Sequence, residues 1–185
     1  MKYPPPRPPT ATPRTPPPTR AVVALGSNLG DSRTILAKAM RRLQELSDHP
    51  LLRSSLWETR PVECPPGSPA FVNAVAGLVP RPEVTPDSLL ARLQALEREF
   101  GRQPKSRLNE ARPLDLDLIA FGHRTWVTPT LELPHPRAHL RRFVLQPLAE
   151  IAPDLLLPGQ SRTVRQLLHN LGPGEVVRCL GPFPG

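Results

Sequence analysis

The chain has 185 residues, of which 38% are hydrophobic, and its formal net charge at pH 7 is +8. Its length predicts a single domain with a substantial core. No apolar run approaches the roughly 18 residues of a membrane span, and no secretory signal opens the chain, so we expect a cytoplasmic protein without a membrane span. Because the two cysteines form no C-x-x-C pair, we expect neither a disulfide framework nor a structural zinc site.

The basic charge is concentrated at the N-terminus. Residues 1–20 contain four basic and no acidic residues, so they supply half of the net charge, and nine of residues 1–19 are prolines. This composition predicts a disordered, polyproline-like extension, with docking in an aromatic groove of a partner as the alternative. Since the rest of the chain is only modestly basic and lacks the aromatic RNA-binding signature, we expect no nucleic-acid partner.

The predicted folded domain, residues 20–172, begins with a strand, a turn and a helix. The apolar run A-V-V-A-L at 21–25 predicts a short buried strand, and G-S-N-L-G-D at 26–31 is typical of a turn that leads into a helix cap. Asn28 lies in this turn, where it belongs either to an ordinary connection or to the mouth of a ligand cleft. Apolar residues at helical spacing predict an amphipathic helix over residues 34–46.

Two further strands are predicted over residues 51–59 and 71–79. The loop between them, residues 60–69, contains four prolines and is therefore stiff. In the second of these strands, Phe71 and Asn73 share a face because strand side chains alternate with a period of two. The Asn73 amide either bonds to backbone at a sheet edge or reads a flat heterocycle that stacks on Phe71.

A second amphipathic helix, a basic loop and an alternating strand follow. Leucines at helical spacing predict the helix over residues 86–100, which Gly101 ends. Residues 102–112 form an irregular loop that is rich in basic residues. The stretch R-P-L-D-L-D-L-I-A-F at 112–121 alternates leucine with aspartate, which predicts a strand with one apolar and one polar face.

Asp115 and Asp117 lie on the polar face of this strand. A rise of about 3.3 Å per residue places them roughly 6.5 Å apart, so each carboxylate raises the cost of ionising the other. A half-exposed strand that faces solvent would also explain the pattern. Because cationic residues flank the pair on both sides, we expect instead a site for Mg²⁺ and polyphosphate, since Mg²⁺ binds carboxylates together with phosphate oxygens. The flanking residues are Arg102, Lys105, Arg107, Arg112, His135, Arg137, Arg141 and Arg142.

The C-terminal part of the chain predicts short strands, a rigid corner, two helices and a tail. The corner is P-H-P at 134–136, and His135 within it is either structural or a ligand-binding residue. The predicted strands cover residues 125–128 and 131–133, the helices cover residues 142–148 and 164–171, and residues 173–185 are predicted to be a flexible tail.

The element order up to the paired aspartates is β-α-β-β-α-β. This order predicts an α+β, ferredoxin-like fold, in which helices pack on one face of an antiparallel sheet and a C-terminal helical extension is added. The open face of the sheet would bring together Phe71, Asn73, Asp115 and Asp117.

Seven separated sequence blocks carry a resemblance to a known family. They are G-S-N-L-G-D at 26–31, E-T-R-P-V at 58–62, F-V-N-A-V at 71–75, L-E-R-E-F-G-R at 96–102, R-P-L-D-L-D-L at 112–118, L-P-H-P-R at 133–137 and R-R-F-V-L-Q-P-L-A-E-I-A-P at 141–153. In this combination the chain resembles the 6-hydroxymethyl-7,8-dihydropterin pyrophosphokinase family of folate biosynthesis. The resemblance implies transfer of diphosphate from ATP to the hydroxymethyl group of the pterin, with release of AMP.

The resemblance also implies roles for individual residues. Asp115 and Asp117 would hold two Mg²⁺ ions, and Arg102 and Arg112 would be the catalytic arginines. The pterin would stack between two phenylalanines and bind to Asn28, Thr59, Pro61, Val62, Phe71, Asn73 and Phe143. The ATP would bind to Gln94, Glu97, Lys105, Leu118, His135 and Arg141.

One block departs from the family pattern. The family usually has tryptophan, glycine and proline just before the second loop arginine, whereas this chain reads L-N-E-A-R at 108–112, and Pro104 stands where a basic residue is common. The alternative to the enzyme is therefore a non-catalytic member that binds pterin or nucleotide without transfer. For the enzyme we expect a monomer whose partners are ATP and the pterin.

Overall fold

The computed structural model describes residues 20–60, 67, 69–103, 111–172 and 174–184. The predicted extension over residues 1–19 lies outside these ranges. The strands are β1 (Ala21–Ser27), β2 (Leu52–Arg53), β3 (Leu56–Thr59), β4 (Phe71–Leu78), β5 (Asp115–Phe121), β6 (Trp126–Val127), β7 (Glu132–Leu133) and β8 (Val177–Gly181). The helices are α1 (Ser32–Gln44), α2 (Pro86–Glu99), α3 (Arg142–Ile151) and α4 (Val164–Asn170), with a short 3₁₀ helix at Ala138–Leu140.

The main sheet is antiparallel and has the order β5-β1-β4-β3-β8, with β2 pairing to β4 beside β3. Strand β4 lies between β1 and β3, so the two strands joined by α1 are separated by a third strand, as the split β-α-β topology requires. The ferredoxin-like α+β prediction is confirmed. Strands β6 and β7 form a separate two-stranded sheet.

The two faces of the sheet contribute to two hydrophobic clusters. On one face, residues such as Val23, Leu25 and Leu116 pack with the buried leucines of α1 and α2. On the other face, Val22 and Val75 pack with α3 and α4. The face that the sequence predicts to be open is therefore partly covered by the C-terminal helices. The uncovered end of that face carries the candidate site.

Two predicted boundaries differ from the structure. The strand predicted over residues 51–59 is divided into β2 and β3, because Ser54 turns inward: its backbone N–H donates to Val75 O (3.0 Å) and its Oγ accepts from Val75 N (2.9 Å). The prediction of a flexible tail over residues 173–185 is wrong for residues 177–181, which form β8. This strand pairs with β3 and satisfies backbone groups that would otherwise lie at a free sheet edge.

No helix in the described part of the chain combines the length and the apolar character that a membrane crossing requires. Helices α1 and α2 are amphipathic and begin at side-chain caps. Asp31 accepts from the Thr34 N–H at the start of α1, and Thr85 and Ser88 form a capping box at the start of α2. These caps fix where the two helices of the first layer begin.

The packing predicts which substitutions of apolar residues lower the free energy of unfolding. Leu93 of α2 is fully buried, so Leu93→Ala should lower the free energy of unfolding by about 2–5 kcal/mol through lost burial and the cavity that remains. Val127 is 80% exposed, so Val127→Ala should change it by less than about 0.5 kcal/mol. Urea denaturation followed by circular dichroism measures both variants, and equal losses would contradict this core assignment.

Candidate active site

The two aspartates lie at the start of β5, next to the central strand β1. Asp115 pairs with Gly26 and Asp117 with Ala24 in the antiparallel register, and both side chains project from the same face of the sheet. The Asp115 side chain is 17% exposed and the Asp117 side chain 38%. Asp117 is therefore the more accessible of the two carboxylates.

Gly26 keeps the space beside the aspartates open. A Cβ atom at this position would lie 3.4 Å from the Asn73 Oδ1 atom, 3.9 Å from the Asp115 Cβ and 3.9 Å from the Phe71 ring. Because Gly26 has no side chain, the space between the side chains of β4 and those of β5 stays open. Sequence reasoning did not single out this glycine as a site residue, although it opens the G-S-N-L-G-D block.

Asp115 is held by both arginines that the sequence predicts to be catalytic. The Arg102 Nη1 atom lies 2.8 Å from Asp115 Oδ1, and Arg112 Nη2 donates to the other carboxylate oxygen. The two guanidinium groups reach Asp115 from opposite ends of the basic loop, whose residues 104–110 lie outside the described residues. These arginines neutralise the carboxylate charge.

Glu97 connects this arginine cluster to the sheet. Its side chain is buried, its Oε1 atom accepts from the Leu116 backbone N–H (2.7 Å), and it forms an ion pair with Arg102. Burial raises the pKa of Glu97, whereas the Leu116 amide and the Arg102 guanidinium act in the opposite direction. Glu97 therefore attaches α2, Arg102 and the start of β5 to one another.

Asp117 has a different electrostatic setting. Burial raises its pKa, the negative charge of Asp115 raises it further, and His135 and Arg141 oppose the rise. The Arg141 Nη1 atom lies 3.8 Å from Asp117 Oδ2, which is a long contact. A cation at Asp117 would relieve both the repulsion and the cost of ionising this carboxylate.

His135 lies at the corner beside Asp117. The corner contains a cis Leu133–Pro134 peptide bond and is attached to β5 by the His135 backbone N–H, which donates to Ile119 O (2.8 Å). Burial lowers the pKa of His135, and its Nδ1 atom accepts from the Arg137 N–H (3.2 Å). The neutral imidazole therefore carries its proton on Nε2.

A second group of predicted residues forms an amide and hydroxyl pair on β4 and β3. The Asn73 Nδ2 atom donates to Thr59 Oγ1 (2.9 Å), and both side chains are buried. Asn73 lies in the central strand β4, so the alternative of an asparagine at a sheet edge does not apply. The amide is already oriented by Thr59, as a group that reads a ligand needs to be.

Asn28 joins the first turn to the basic loop. Its Oδ1 atom accepts from the Arg112 backbone N–H (2.9 Å), and its own backbone N–H donates to Arg112 O (3.2 Å). This reciprocal pair fixes the backbone of Arg112. Since the Arg112 guanidinium carbon also lies 5.8 Å from the centre of the Phe71 ring, Arg112 lies between the predicted pterin residues and the aspartates.

Phe143 is placed by the first turn of α3, and Arg141 accompanies it. The Arg141 guanidinium carbon lies 5.4 Å from the centre of the Phe143 ring. Each of the two phenylalanines that are predicted to stack on the pterin therefore has an arginine over its ring. Both arginines also face the aspartate pair.

A cavity of about 400 Å³ opens beside the aspartates, which is within the usual size of small-molecule sites. It is lined by Leu90, Gln94, Glu97, Arg98, Arg102, Gln103, Leu116 and Asp117. Gln94 and Glu97, which are predicted to bind ATP, therefore share a cavity with an aspartate and a predicted catalytic arginine. The Leu118 side chain instead lies in the hydrophobic core, so only its backbone is left to contact a ligand. The predicted residues Pro61, Val62 and Lys105 lie outside the described residues.

The donor set suits a cation that takes few protein ligands. Within the described ranges, no group of three or more His, Cys, Asp and Glu side chains could hold a metal ion. Two carboxylates on one face, surrounded by groups that bind phosphate, instead match Mg²⁺, which completes its shell with water and phosphate oxygens. Fold and site together define a ferredoxin-like α+β protein with an acidic pair, three arginines that contact it, and two phenylalanines that each lie under one of these arginines.

Comparisons with known proteins identify the family to which the chain belongs. The family model described as 7,8-dihydro-6-hydroxymethylpterin-pyrophosphokinase (HPPK) matches residues 22–153. The 2-amino-4-hydroxy-6-hydroxymethyldihydropteridine pyrophosphokinase of Haemophilus influenzae is 36% identical over 159 residues, which cover 85% of this chain and 96% of the relative. The enzyme of the same name from Pseudomonas aeruginosa is 41% identical over 140 residues, which cover 75% of this chain and 84% of that one. The chain belongs to the HPPK family.

Solved structures support the fold. The HPPK-DHPS protein of Plasmodium falciparum, solved with pteroate, superposes with a TM-score of 0.67 at 13% sequence identity. The match covers 83% of this chain and 44% of that chain, so this chain spans less than half of the larger protein.

Glu97 provides a test of how the arginine cluster is attached. Glu97→Ala leaves the Leu116 amide and Arg102 without their shared acceptor, so it should lower the free energy of unfolding by about 3 kcal/mol. Glu97→Gln retains an acceptor for the Leu116 amide and should cost only about 1–2 kcal/mol. Urea denaturation measures both. Equal stability of Glu97→Ala and wild type would mean that this buried pair does not attach α2 to β5.

Proposed function

We propose that this chain transfers diphosphate from ATP to the hydroxymethyl group of 6-hydroxymethyl-7,8-dihydropterin, giving AMP and the pterin diphosphate in folate biosynthesis. The observation that carries the proposal is the placement of Asp115 and Asp117 beside Arg102 and Arg112 in a chain of the HPPK family. The names of the relatives from two bacteria describe the same activity.

The metal requirement follows from the charges. Asp115 and Asp117 would hold two Mg²⁺ ions together with the phosphate oxygens of ATP. Bound Mg²⁺ would neutralise the polyphosphate and favour the attack of the pterin hydroxyl on the β-phosphorus. Asp117 suits this role because its carboxylate is the more exposed one, and because burial and the negative charge of Asp115 raise its pKa, a cost that a bound cation would reduce.

Arg102 and Arg112 act as the catalytic arginines in this proposal. Both guanidinium groups now contact Asp115, so a polyphosphate that enters the cavity offers them new oxygen acceptors at the same place. The planar guanidinium group binds phosphate oxygens in pairs and keeps its charge at any working pH. The two arginines would stabilise negative charge on the β-phosphoryl group and on the departing AMP.

The pterin would occupy the aromatic side of the site. Phe71 and Phe143 would stack on its two faces, and Asn73, oriented by Thr59, would read its polar edge. The family resemblance adds Asn28, Pro61 and Val62 to this pocket. On the other side, the ATP would contact Gln94, Glu97, Lys105, Leu118, His135 and Arg141.

A non-catalytic member of the family is the remaining alternative, because L-N-E-A at 108–111 replaces the usual tryptophan, glycine and proline. Nothing in the family match or the relatives favours it. We further propose that the protein is monomeric and acts in the cytoplasm, as the sequence predicts.

The reaction is tested by measuring AMP release from ATP and Mg²⁺, with and without the pterin. Wild type should release AMP only when the pterin is present, and chelation of the metal should abolish release. Asp117→Asn should lower kcat/KM by at least about 100-fold because the metal loses a charged ligand. Asp154→Asn, which removes an exposed carboxylate that pairs with Arg165, serves as the matched control and should be unchanged.

Two outcomes of this experiment would contradict the proposal. Wild type that binds the pterin in calorimetry without releasing AMP would be a non-catalytic member. If wild type bound neither the pterin nor ATP, the proposed function would be wrong and only the assignment of the fold would stand.

A further inference from the structure

Two residues of the proposed site, Arg141 and Phe143, lie at the start of α3, and Arg142 lies between them in the sequence. Arg141 faces Asp117, and Phe143 is one of the two stacking rings. The body of α3 is fixed by its fully buried residues Val144 and Leu145, whereas Arg141 and Phe143 are only partly buried. Their positions therefore depend on what holds the start of the helix.

Arg142 attaches this turn to the C-terminal segment. Its Nη2 atom donates to the backbone carbonyl of Gly172, directly after α4 ends. Arg142 thus joins the beginning of α3 to the end of α4 through its side chain.

Glu175 lies next to the same turn. Burial raises the pKa of its carboxyl, and the Phe143 backbone N–H and the guanidinium groups of Arg142 and Arg141 oppose that rise. Arg141 makes no side-chain cap to α3 within the described residues, so the Glu175 carboxylate supplies the negative charge at this helix start.

The same segment reaches the opposite wall of the pterin pocket within a few residues. Val177, the first residue of β8, pairs with Thr59 of β3, and Thr59 orients Asn73. Gly172 and residues 174–177 therefore connect the start of α3, through the contacts of Arg142 and Glu175, to the strand that carries Thr59. We call Gly172 and residues 174–177 the C-terminal clamp.

We propose that Arg142 and Glu175 are positioning residues that use the C-terminal clamp to hold Phe143 at a fixed separation from Thr59 and Asn73. The proposal rests on the proposed function, because it assigns these residues to the binding of the pterin. It gives the last strand of the chain a role in substrate binding. Neither residue needs to touch the substrate.

Steady-state kinetics of the full-length protein test this role. Arg142→Ala should raise KM for the pterin about tenfold, the value of a lost charged hydrogen bond, and change kcat by less than about twofold. KM for ATP should rise less, by about threefold at most, because Arg141 is the ATP residue at this helix start, whereas Gln94 and His135 lie on other elements. Arg142→Lys keeps a charged donor and should recover most of the pterin affinity.

Glu175 provides a second, independent pair of variants. Glu175→Ala should raise KM for the pterin, and the isosteric Glu175→Gln should raise it less. Arg165→Ala, which removes an exposed arginine of α4 that pairs with Asp154, is the control and should match wild type. Melting temperatures are compared first. If an alanine variant does not fold, Arg142→Gln or Glu175→Gln replaces it, because each removes the charge with little change in side-chain size, and each should still raise KM for the pterin.

Several results would overturn the inference. Unchanged pterin KM in the variants of both residues would do so, and so would a fall in kcat without a change in KM. A wild type that releases no pterin-dependent AMP would instead disprove the proposed function. In that event hydrogen exchange of residues 141–145 tests the clamp alone: Glu175→Ala should accelerate it about tenfold, and unchanged exchange would overturn the clamp.

Discussion

The neutralisation of Asp115 is the constraint on which the rest of the site depends. A carboxylate that is largely buried two residues from another carboxylate requires nearby positive charge, and Arg102 and Arg112 supply it. The arginines in turn need anchors, which Glu97 and the turn at Asn28 provide. In the proposed function, these arginines therefore lie where a metal-bound polyphosphate would need them.

In the proposed function, substrate binding would be an exchange of partners. An arginine that leaves Asp115 for a phosphate oxygen would free the carboxylate for a cation. Gly26 contributes by adding no side chain between the aspartates and the pterin residues. In the proposed function, the same sheet face would therefore accommodate a flat ring and a polyphosphate side by side.

Much of this follows from the sequence, because local patterns determine it. The alternation in R-P-L-D-L-D-L predicts two aspartates on one face, and the same period places Phe71 and Asn73 together on β4. Other features depend on contacts between distant residues. Glu97 has the spacing of an ordinary helix residue, yet it bridges α2 to β5, and β8 is a five-residue strand whose pairing depends on the edge that β3 leaves free. No local pattern encodes either contact.

In the proposed reaction, this site transfers a diphosphate group from ATP to the pterin as one unit. The most direct test is ³¹P NMR of a reaction that contains the full-length protein, ATP, Mg²⁺ and 6-hydroxymethyl-7,8-dihydropterin. The ATP signals should be replaced by one AMP resonance and by two coupled resonances of an alkyl diphosphate. Formation of ADP together with a pterin monophosphate, or with free phosphate, would contradict attack at the β-phosphorus and the function proposed for this chain.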